Sequence, residues 1–299
     1  MKFLNFLLMI LVLAVITPLY SQTESEVDKP VKVEKKPVRT PFENGILLDR
    51  NTIVQPRAKS FEMVIQHRFG NVNSEGFDLI GIFGPSNIRI GFNYSIWDKF
   101  QIGIGSSKNR LVQDLNWKWA ILQQSRGNEI PLFITYYGNA AVEALKKEQY
   151  EKVSHRFSYY HEVMFARKFT KDFTAQLTFN YAHFNVVDSS GFIPEGESEI
   201  VNHDYKHDNF SVGILARYKV SSQMSVVLQY DQSLIFLDVD EAQPNLMLGI
   251  EIATGSHAFQ IYAGSYRAII PQYNMVYNQN KFWKGDVAIG FNITRMWNY

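Results

Sequence analysis

The sequence lacks cysteine altogether, which excludes disulfides, thiolate metal ligands, cysteine nucleophiles and a lipid-modified amino-terminal cysteine. It also lacks an excess of either charge, because 30 Lys and Arg face 29 Asp and Glu. Such a balance gives no broad positive field to attract a polyanion, so we expect no nucleic-acid partner. Beyond residue 21 there is no long apolar run, so any crossing of a membrane must use strands.

The first 21 residues have the pattern of a secretory signal peptide. Lys2 supplies a positive charge, Phe6–Thr17 form an apolar segment, and Pro18 precedes a small residue at Ser21. We predict cleavage near Ser21–Gln22. The alternative, a retained membrane anchor, is disfavoured because the apolar segment is shorter than the roughly 20 residues that a helical span needs.

Residues 22–58 are predicted to be a periplasmic linker that is largely disordered. Their first part alternates Lys and Glu with Val and Pro, and offers no apolar face wide enough to bury. The character of the sequence changes near Lys59, where short alternating runs begin. We therefore assign residues 59–299 to one folded domain.

Twelve runs in that domain alternate apolar with polar residues at the period of a β-strand, with no helical period between them. The abundance of Phe, Tyr and Trp, at 22, 16 and 5 residues, suits strands and membrane interfaces. The runs are Ser60–Phe69, Asn87–Ile96, Phe100–Ser107, Leu111–Leu122, Ile130–Ala140, His155–Lys168, Phe173–Val186, Asn209–Lys219, Met224–Asp231, Asn245–Ala253, Ala258–Gly264 and Gly285–Tyr299.

The connections between the runs differ in length in a regular way. Short links near residues 97–99, 170–172, 221–222 and 254–256 alternate with longer ones near 142–152, 187–207, 232–243 and 265–282. Short periplasmic turns, long extracellular loops and an even strand number are typical of outer-membrane barrels. The sequence therefore predicts an all-β, antiparallel transmembrane β-barrel of about 12 strands, surrounded by outer-membrane lipid, with both chain ends in the periplasm.

The final run ends in an aromatic residue. Phe291, Ile293, Trp297 and Tyr299 share one face of it, interrupted by Arg295. This is similar to the signal read by the barrel-insertion machinery, so we predict that machinery as a partner through the strand ending at Tyr299. An amphipathic last strand of a soluble protein is the alternative interpretation.

The polar face of the predicted strands carries charges of both signs. We predict that they line the lumen, where they would either contact a small polar solute or form a structural network that fills a narrow barrel. The residues are Glu62, Arg68, Arg89, Asp114, Lys118, Arg156, Glu162, Arg217, Glu251 and Asp286.

Three other groups of polar residues are candidate sites of chemistry. His203–Asp208 contains two His-Asp pairs, but lies at the end of a long loop, and the carboxylates Glu195, Glu197 and Glu199 fit a flexible acidic loop. Lipid-modifying barrel enzymes use a Ser–His pair on the outer wall. The nearest candidates, Ser158 with His161 and Ser154 with His155, assemble no oxyanion site. We expect no catalytic residue, metal or cofactor.

Four segments of the strands carry a resemblance to a known family. They are Ile65–Gly70, containing the motif His67-Arg68-Phe69-Gly70, then Asn87–Tyr94, Gly103–Gly105 and Asp114–Leu122. Through them the chain resembles, over everything beyond the linker, the family known as domain of unknown function 5777, β-barrels of Gram-negative envelopes. The resemblance implies an envelope barrel and assigns no activity.

Together these patterns predict a non-enzymatic, porin-like protein, acting as a narrow passive channel or as a structural or binding barrel. The alternatives are a lipid-modifying enzyme of the outer membrane and a soluble periplasmic β-protein that binds a ligand.

Overall fold

Twelve antiparallel strands close into a barrel in the computed structural model, which describes residues 36–39, 41–72, 78–145, 150–187, 206–234 and 242–299. Strand β14 pairs with β3, with Ile293 opposite Ile65, and so completes the ring. Two further strands, β1 and β2, form a separate hairpin. The strands are β1 Ile46–Leu47, β2 Arg50–Asn51, β3 Ser60–Asn71, β4 Asn87–Trp97, β5 Phe100–Ser107, β6 Val112–Leu122, β7 Phe133–Glu143, β8 Phe157–Lys168, β9 Phe173–Phe184, β10 Asp208–Lys219, β11 Met224–Ser233, β12 Asn245–Thr254, β13 His257–Gly264 and β14 Ala288–Asn298.

The predicted fold class is confirmed, since each of the twelve predicted runs corresponds to one barrel strand. Alternation along each strand separates an inner from an outer face. In β6, Asp114 and Lys118 are buried, whereas Leu115 and Trp119 are about half exposed. Large apolar side chains cover the outer face of other strands as well, as Ile104 and Ile261 show. An apolar surface that encircles a closed ring suits hydrocarbon, not water.

The two ends of the barrel differ. Links of two to ten residues, 98–99, 123–132, 169–172, 220–223 and 255–256, join strands at the end where β3 begins and β14 finishes, here called the turn end. Links 72–86, 108–111, 144–156, 185–207, 234–244 and 265–287 form the opposite, loop end. The link 123–132 is longer than its neighbours, and the chain's Lys36–Val38 segment pairs with it. Val38 N donates to Gln124 O at 2.8 Å, and Arg126 N donates to Lys36 O at 3.0 Å.

The linker prediction is wrong for residues 41–58, which belong to the folded domain. From the turn end the chain runs into the lumen, forms the β1–β2 hairpin, and returns to begin β3. Phe42, Leu47, Leu48 and Ile53 are all at most 3 % exposed. Because the barrel encloses the hairpin, an apolar patch too narrow for an independent core is nonetheless buried. The signal peptide and residues 22–35 lie outside the described part of the chain.

Side chains of the barrel wall satisfy the backbone of this hairpin. A two-stranded hairpin leaves two edges of unpaired N–H and C=O groups, which must find partners once buried. At the turn, Leu48 N donates to Gln260 Oε1 at 2.9 Å and Asp49 N to Gln229 Oε1 at 3.0 Å. On the β1 edge, Gln260 also donates to Ile46 O at 3.0 Å. On the β2 side, Gln176 accepts from Ile53 N at 3.1 Å and donates to Asn51 O at 2.7 Å. Lumenal glutamines thus replace the neighbouring strands that the hairpin lacks.

A second segment fills the lumen from the loop end. The link between β13 and β14 contains the short helix α1, Pro271–Tyr277, whose residues 272–276 are all buried. Tyr273 packs edge-on against Phe184 of β9, with 5.1 Å between ring centroids. Gln272 Nε2 donates to Asn139 Oδ1 at 3.0 Å. No helix in the described residues has the length and apolar character of a membrane span.

Candidate functional site: the filled lumen

Arg50 holds the hairpin to the barrel wall. Its guanidinium lies 2.5 Å from Asp231 Oδ1 on β11 and 3.5 Å from Glu162 Oε1 on β8, and it also donates to the hydroxyl of Tyr160. Both carboxylate side chains are fully buried, and Arg50 is 4 % exposed. A buried ion pair contributes little net stability against an apolar replacement, but loss of one partner leaves a buried, uncompensated charge. Arg50 therefore fixes where the hairpin sits.

Asp49, at the hairpin's tip, joins the two segments that fill the lumen. One carboxylate oxygen accepts from Arg68 of β3 at 2.7 Å, and the other accepts from Asn274 of α1 at 2.8 Å. Burial raises the pKa of Asp49 to about 7, against the opposing effect of Arg68. The contact between hairpin and helix thus runs through a carboxyl group that can change its charge near neutral pH.

A third arginine anchors the base of the hairpin near the turn end. Arg217 of β10 contacts Glu251 of β12 at 2.8 Å and Glu43, just before β1, at 2.7 Å. Lys118 of β6 donates to the carbonyl of Gly45 at 3.0 Å, and Glu62 accepts from Gly45 N at 3.3 Å. The inserted segment is therefore tied to the wall from base to tip.

Most of the charges predicted to line the lumen do lie on the inner wall, where they contact one another or the inserted segments. Eight are buried on barrel strands: Glu62, Arg68, Arg89, Asp114, Lys118, Glu162, Arg217 and Glu251. Among them, Arg89 and Asp114 form a bidentate pair at 2.8 and 2.7 Å that does not touch the hairpin.

The structure places two of the predicted lumenal charges elsewhere. Arg156 lies in a 3-10 turn before β8, over the ring of Tyr150 at 4.9 Å. Asp286 precedes β14 and accepts from Lys281 N at 3.0 Å. In both cases the alternating pattern in the sequence starts before the first residue of the strand. Periodicity therefore overestimated the length of these strands.

Sequence reasoning missed the partners of these charges. Glu43, Asp49 and Arg50 were assigned to a linker, and the lumenal glutamines carry no charge to mark them. Glu143, which accepts from Arg110 at 2.6 Å and from the hydroxyl of Tyr273, was also missed. The apolar run Ile46-Leu47-Leu48, which ends the Lys- and Pro-rich composition of the linker, is the one signal that could have revealed the hairpin.

The two faces of β3 divide the motif His67-Arg68-Phe69-Gly70. Arg68 points into the lumen, whereas His67 lies on the outer wall, stacked on Phe291 at 5.0 Å between ring centroids. At Gly70 the backbone of the loop-end link 72–86 lies close to β3, and Gly70 N donates to Gly81 O at 2.8 Å. A Cβ at Gly81 would lie 2.3 Å from the carbonyl oxygen of Gly70. The motif therefore combines a lumenal cation with a close backbone approach.

The structure separates the first of the two Ser–His pairs, Ser158 and His161, onto opposite faces of β8. Ser158 is buried on the inner face and accepts from Gln272 at 3.3 Å, whereas His161 lies on the outer wall, 2.6 Å from the hydroxyl of Tyr136. Ser154 and His155 are consecutive residues of a 3-10 turn outside the strands. Residues 203–205 and the three loop glutamates lie outside the described residues. Within the described chain, no three His, Asp or Glu side chains are grouped as metal ligands.

These features define a membrane-bound β-barrel whose lumen is filled by its own chain. The chain belongs to the family described as "Membrane bound beta barrel domain (DUF5777)", whose model matches residues 42–297. The match begins at the hairpin, so the inserted segment falls within the matched domain.

Solved structures that align with the chain include several porins. The NanC porin aligns with a TM-score of 0.48 and 8 % identity, over 80 % of this chain and 100 % of that one. An outer membrane channel from Pseudomonas putida F1 aligns at 0.46 and 10 %, over 91 % and 100 %. The KdgM porin in complex with disordered oligogalacturonate aligns at 0.45 and 6 %, over 80 % and 99 %. No curated protein matches the chain.

Proposed function

We propose that the protein is a non-enzymatic conduit of the outer membrane, closed at rest by its own amino-terminal hairpin. In this arrangement the turn end faces the periplasm and the loop end faces outwards. The observation that carries the proposal is the burial of β1–β2 in the lumen, with Asp49 and Arg50 held by oppositely charged groups of the wall. A hairpin that served only as filling could be apolar, whereas ion pairs allow docking to respond to ions and solutes.

The route of the chain supports this direction of closure. The hairpin approaches from the turn end and returns there, so it can leave the lumen without threading a loop through the ring. The barrel closes through pairing of β14 with β3, which does not involve the hairpin. Removal of the hairpin should therefore leave the wall of the barrel intact.

Export and assembly complete the proposal. The predicted signal peptide, residues 1–21, would direct the chain to the periplasm, where the barrel-insertion machinery would recognise the last strand. Trp297 and the largely exposed Tyr299 lie at the turn end, where that strand finishes.

Conductance in planar bilayers tests closure directly. We expect the intact protein to pass little steady current, and a variant in which Pro41 is joined to Ala58 to pass at least tenfold more. Heat-dependent mobility on a detergent gel would verify that each barrel is folded, and Arg50→Gln makes the same comparison at full chain length. If the intact protein passes as much steady current as both variants, closure by the hairpin is refuted. If none of the three proteins passes current, the protein is a permanently blocked structural or binding barrel.

A further inference from the structure

A cavity of about 590 Å³ lies at the loop end, on the outer side of the contact between hairpin and helix. Its walls come from the end of β3, from residues 85–87 and 108–110, and from the segment 267–280 that contains α1. Binding sites for small molecules are typically roughly 300–1,000 Å³ in volume. The cavity therefore has room for a molecule the size of one or two sugar rings.

The charged side chains that line this cavity, among the residues that the structure describes, are cationic. They are Arg68, Lys108, Arg110 and Arg267, and no described Asp or Glu lines the cavity. Two of these cations are paired with carboxylates that do not line the cavity: Arg110 with Glu143, and Arg68 with Asp49. Lys108 is exposed and donates to the carbonyl of Ser86 at 3.0 Å, a contact that leaves its charge in place. Such a lining attracts anions.

Two donors at the cavity have no acceptor among the described residues. They are Nε of Arg68, a side chain only 1 % exposed, and Nε2 of Gln279. A buried donor without an acceptor is unfavourable, and more so when it is charged. Both residues line the cavity. The cavity lining therefore includes two residues with unmet hydrogen-bond donors.

The remaining lining suits hydroxyl groups and a sugar ring. Amides of Asn87 and Asn280 offer polar groups, and the ring of Tyr277 offers an apolar face. We propose that this cavity binds a small organic anion that also carries hydroxyl groups, such as a sugar acid or a sugar phosphate. A role of this site in transport rests on the proposed conduit function. Binding of the anion does not.

The site is coupled to the hairpin through Arg68. This guanidinium forms part of the cavity lining and donates to Asp49 at 2.7 Å, and Asn274 of the same lining donates to the other oxygen of Asp49. An anion bound beside Arg68 repels the carboxylate of Asp49 and is attracted to the same positive charge. Binding of the solute would therefore weaken the hold on the hairpin's tip, in the direction that opens the barrel.

Calorimetric titration of the purified full-length protein in detergent tests the ligand class. The probes are galacturonate, glucose 6-phosphate, glucose and inorganic phosphate. We expect both sugar anions to bind at least tenfold more tightly than glucose and than phosphate. Failure of both sugar anions to bind, or equal binding of glucose, would overturn the proposal, and equal binding of phosphate would overturn recognition of the hydroxyl groups.

Variants locate the site and test its coupling. Lys108→Gln with Arg267→Gln should weaken binding of galacturonate at least tenfold, whereas Lys99→Gln with Lys171→Gln, the same charge change at the turn end, should leave it unaltered. Equal effects of the two pairs would refute this location. Asp49→Asn should tighten binding several-fold because it leaves Arg68 without its carboxylate, whereas general disruption of the lumen would weaken it. Unchanged or weaker binding by Asp49→Asn would refute the coupling.

The two proposals can fail separately. A large current through the intact protein would remove closure by the hairpin and leave the titrations unaffected. An absence of binding, together with the expected difference in current between the intact protein and the hairpin variants, would remove the solute site alone.

Discussion

The two segments that fill the lumen, the β1–β2 hairpin and α1, are held by different chemistry. The hairpin and its base carry Glu43, Asp49 and Arg50, each paired with an oppositely charged group of the wall. Helix α1 has no charged residue and is held by amides, hydroxyls and aromatic packing. Ion pairs respond to pH and to competing ions, whereas neutral packing does so far less. We therefore assign movement to the hairpin and a fixed position to the helix.

The largest expected effect comes from Arg50→Gln. It leaves Asp231 and Glu162 buried without the cation that faces both, and breaking a buried pair in this way costs on the order of 3–5 kcal/mol. The hairpin should undock and the current should rise at least tenfold over that of the intact protein. Arg295→Gln, which removes an arginine from the outer wall beside Trp297, is the matched control and should not change the current. Equal currents through the intact protein and both variants would show that Arg50 does not hold the closed state.

The strands of the barrel could be predicted from sequence because their signal is local. In β6 and β14, each inward residue is flanked by outward ones, so alternation alone reveals both the strand and its faces. Even there the ends were uncertain, and Arg156 and Asp286 were assigned to strands that begin after them.

The hairpin could not be predicted, because what defines it is remote in sequence. Its strands have two residues each, and its turn at Leu48-Asp49 contains neither Gly nor Asn. Leu48 adopts a left-handed φ of 56°, which such a residue seldom takes without support from its surroundings. That support comes from Gln260, 212 positions away, and from Asn292, which donates to Leu48 O at 2.6 Å. A barrel must exist before this turn is favourable.

For the same reason, the sequence predicted the wall residues of the candidate site but not their partners in the inserted segment. Inward charges such as Glu162 and Arg217 can be read from strand alternation, but their partners Arg50 and Glu43 belong to a segment with no periodic pattern. Knowing one half of each ion pair left open whether the charges face water or protein. The structure answers this for the described lumen, where Glu162 and Arg217 contact the inserted segment, whereas Arg89 and Asp114 pair with each other.

An intermediate effect is expected from Gln272→Leu in α1. The change removes donors to Asn139 and Ser158, and an unmet buried polar group costs about 1–3 kcal/mol. The temperature at which the folded gel band disappears should fall, while the current should rise less than in Arg50→Gln. The exposed Gln113, on the outer face of β6, supplies the control Gln113→Leu. A current equal to that of Arg50→Gln would mean that the helix, not the hairpin, limits flow.

The smallest expected effect is a dependence of the current on pH that arises from the carboxyl group of Asp49. Burial raises the pKa of this carboxyl from its ordinary value of 3.8 to about 7, so the docked hairpin retains a proton that an undocked hairpin would release. Docking should therefore weaken as the pH rises from about 4 to about 7 and change no further above that. The charged and titratable groups that act on Asp49 are Arg50, Arg68, Arg89, Asp231 and Tyr266.

Comparison of currents at pH 5 and pH 7.5 measures this effect. The current of the intact protein should be higher at pH 7.5, and Asp49→Asn should reduce the ratio of the two currents because its amide does not titrate. Effects of pH on the rest of the protein are common to both proteins and cancel from this comparison. If the ratio of the two currents is the same in the intact protein and in Asp49→Asn, the tip of the hairpin does not respond to pH. The difference between a responsive hairpin and a fixed helix would then depend on Arg50 alone.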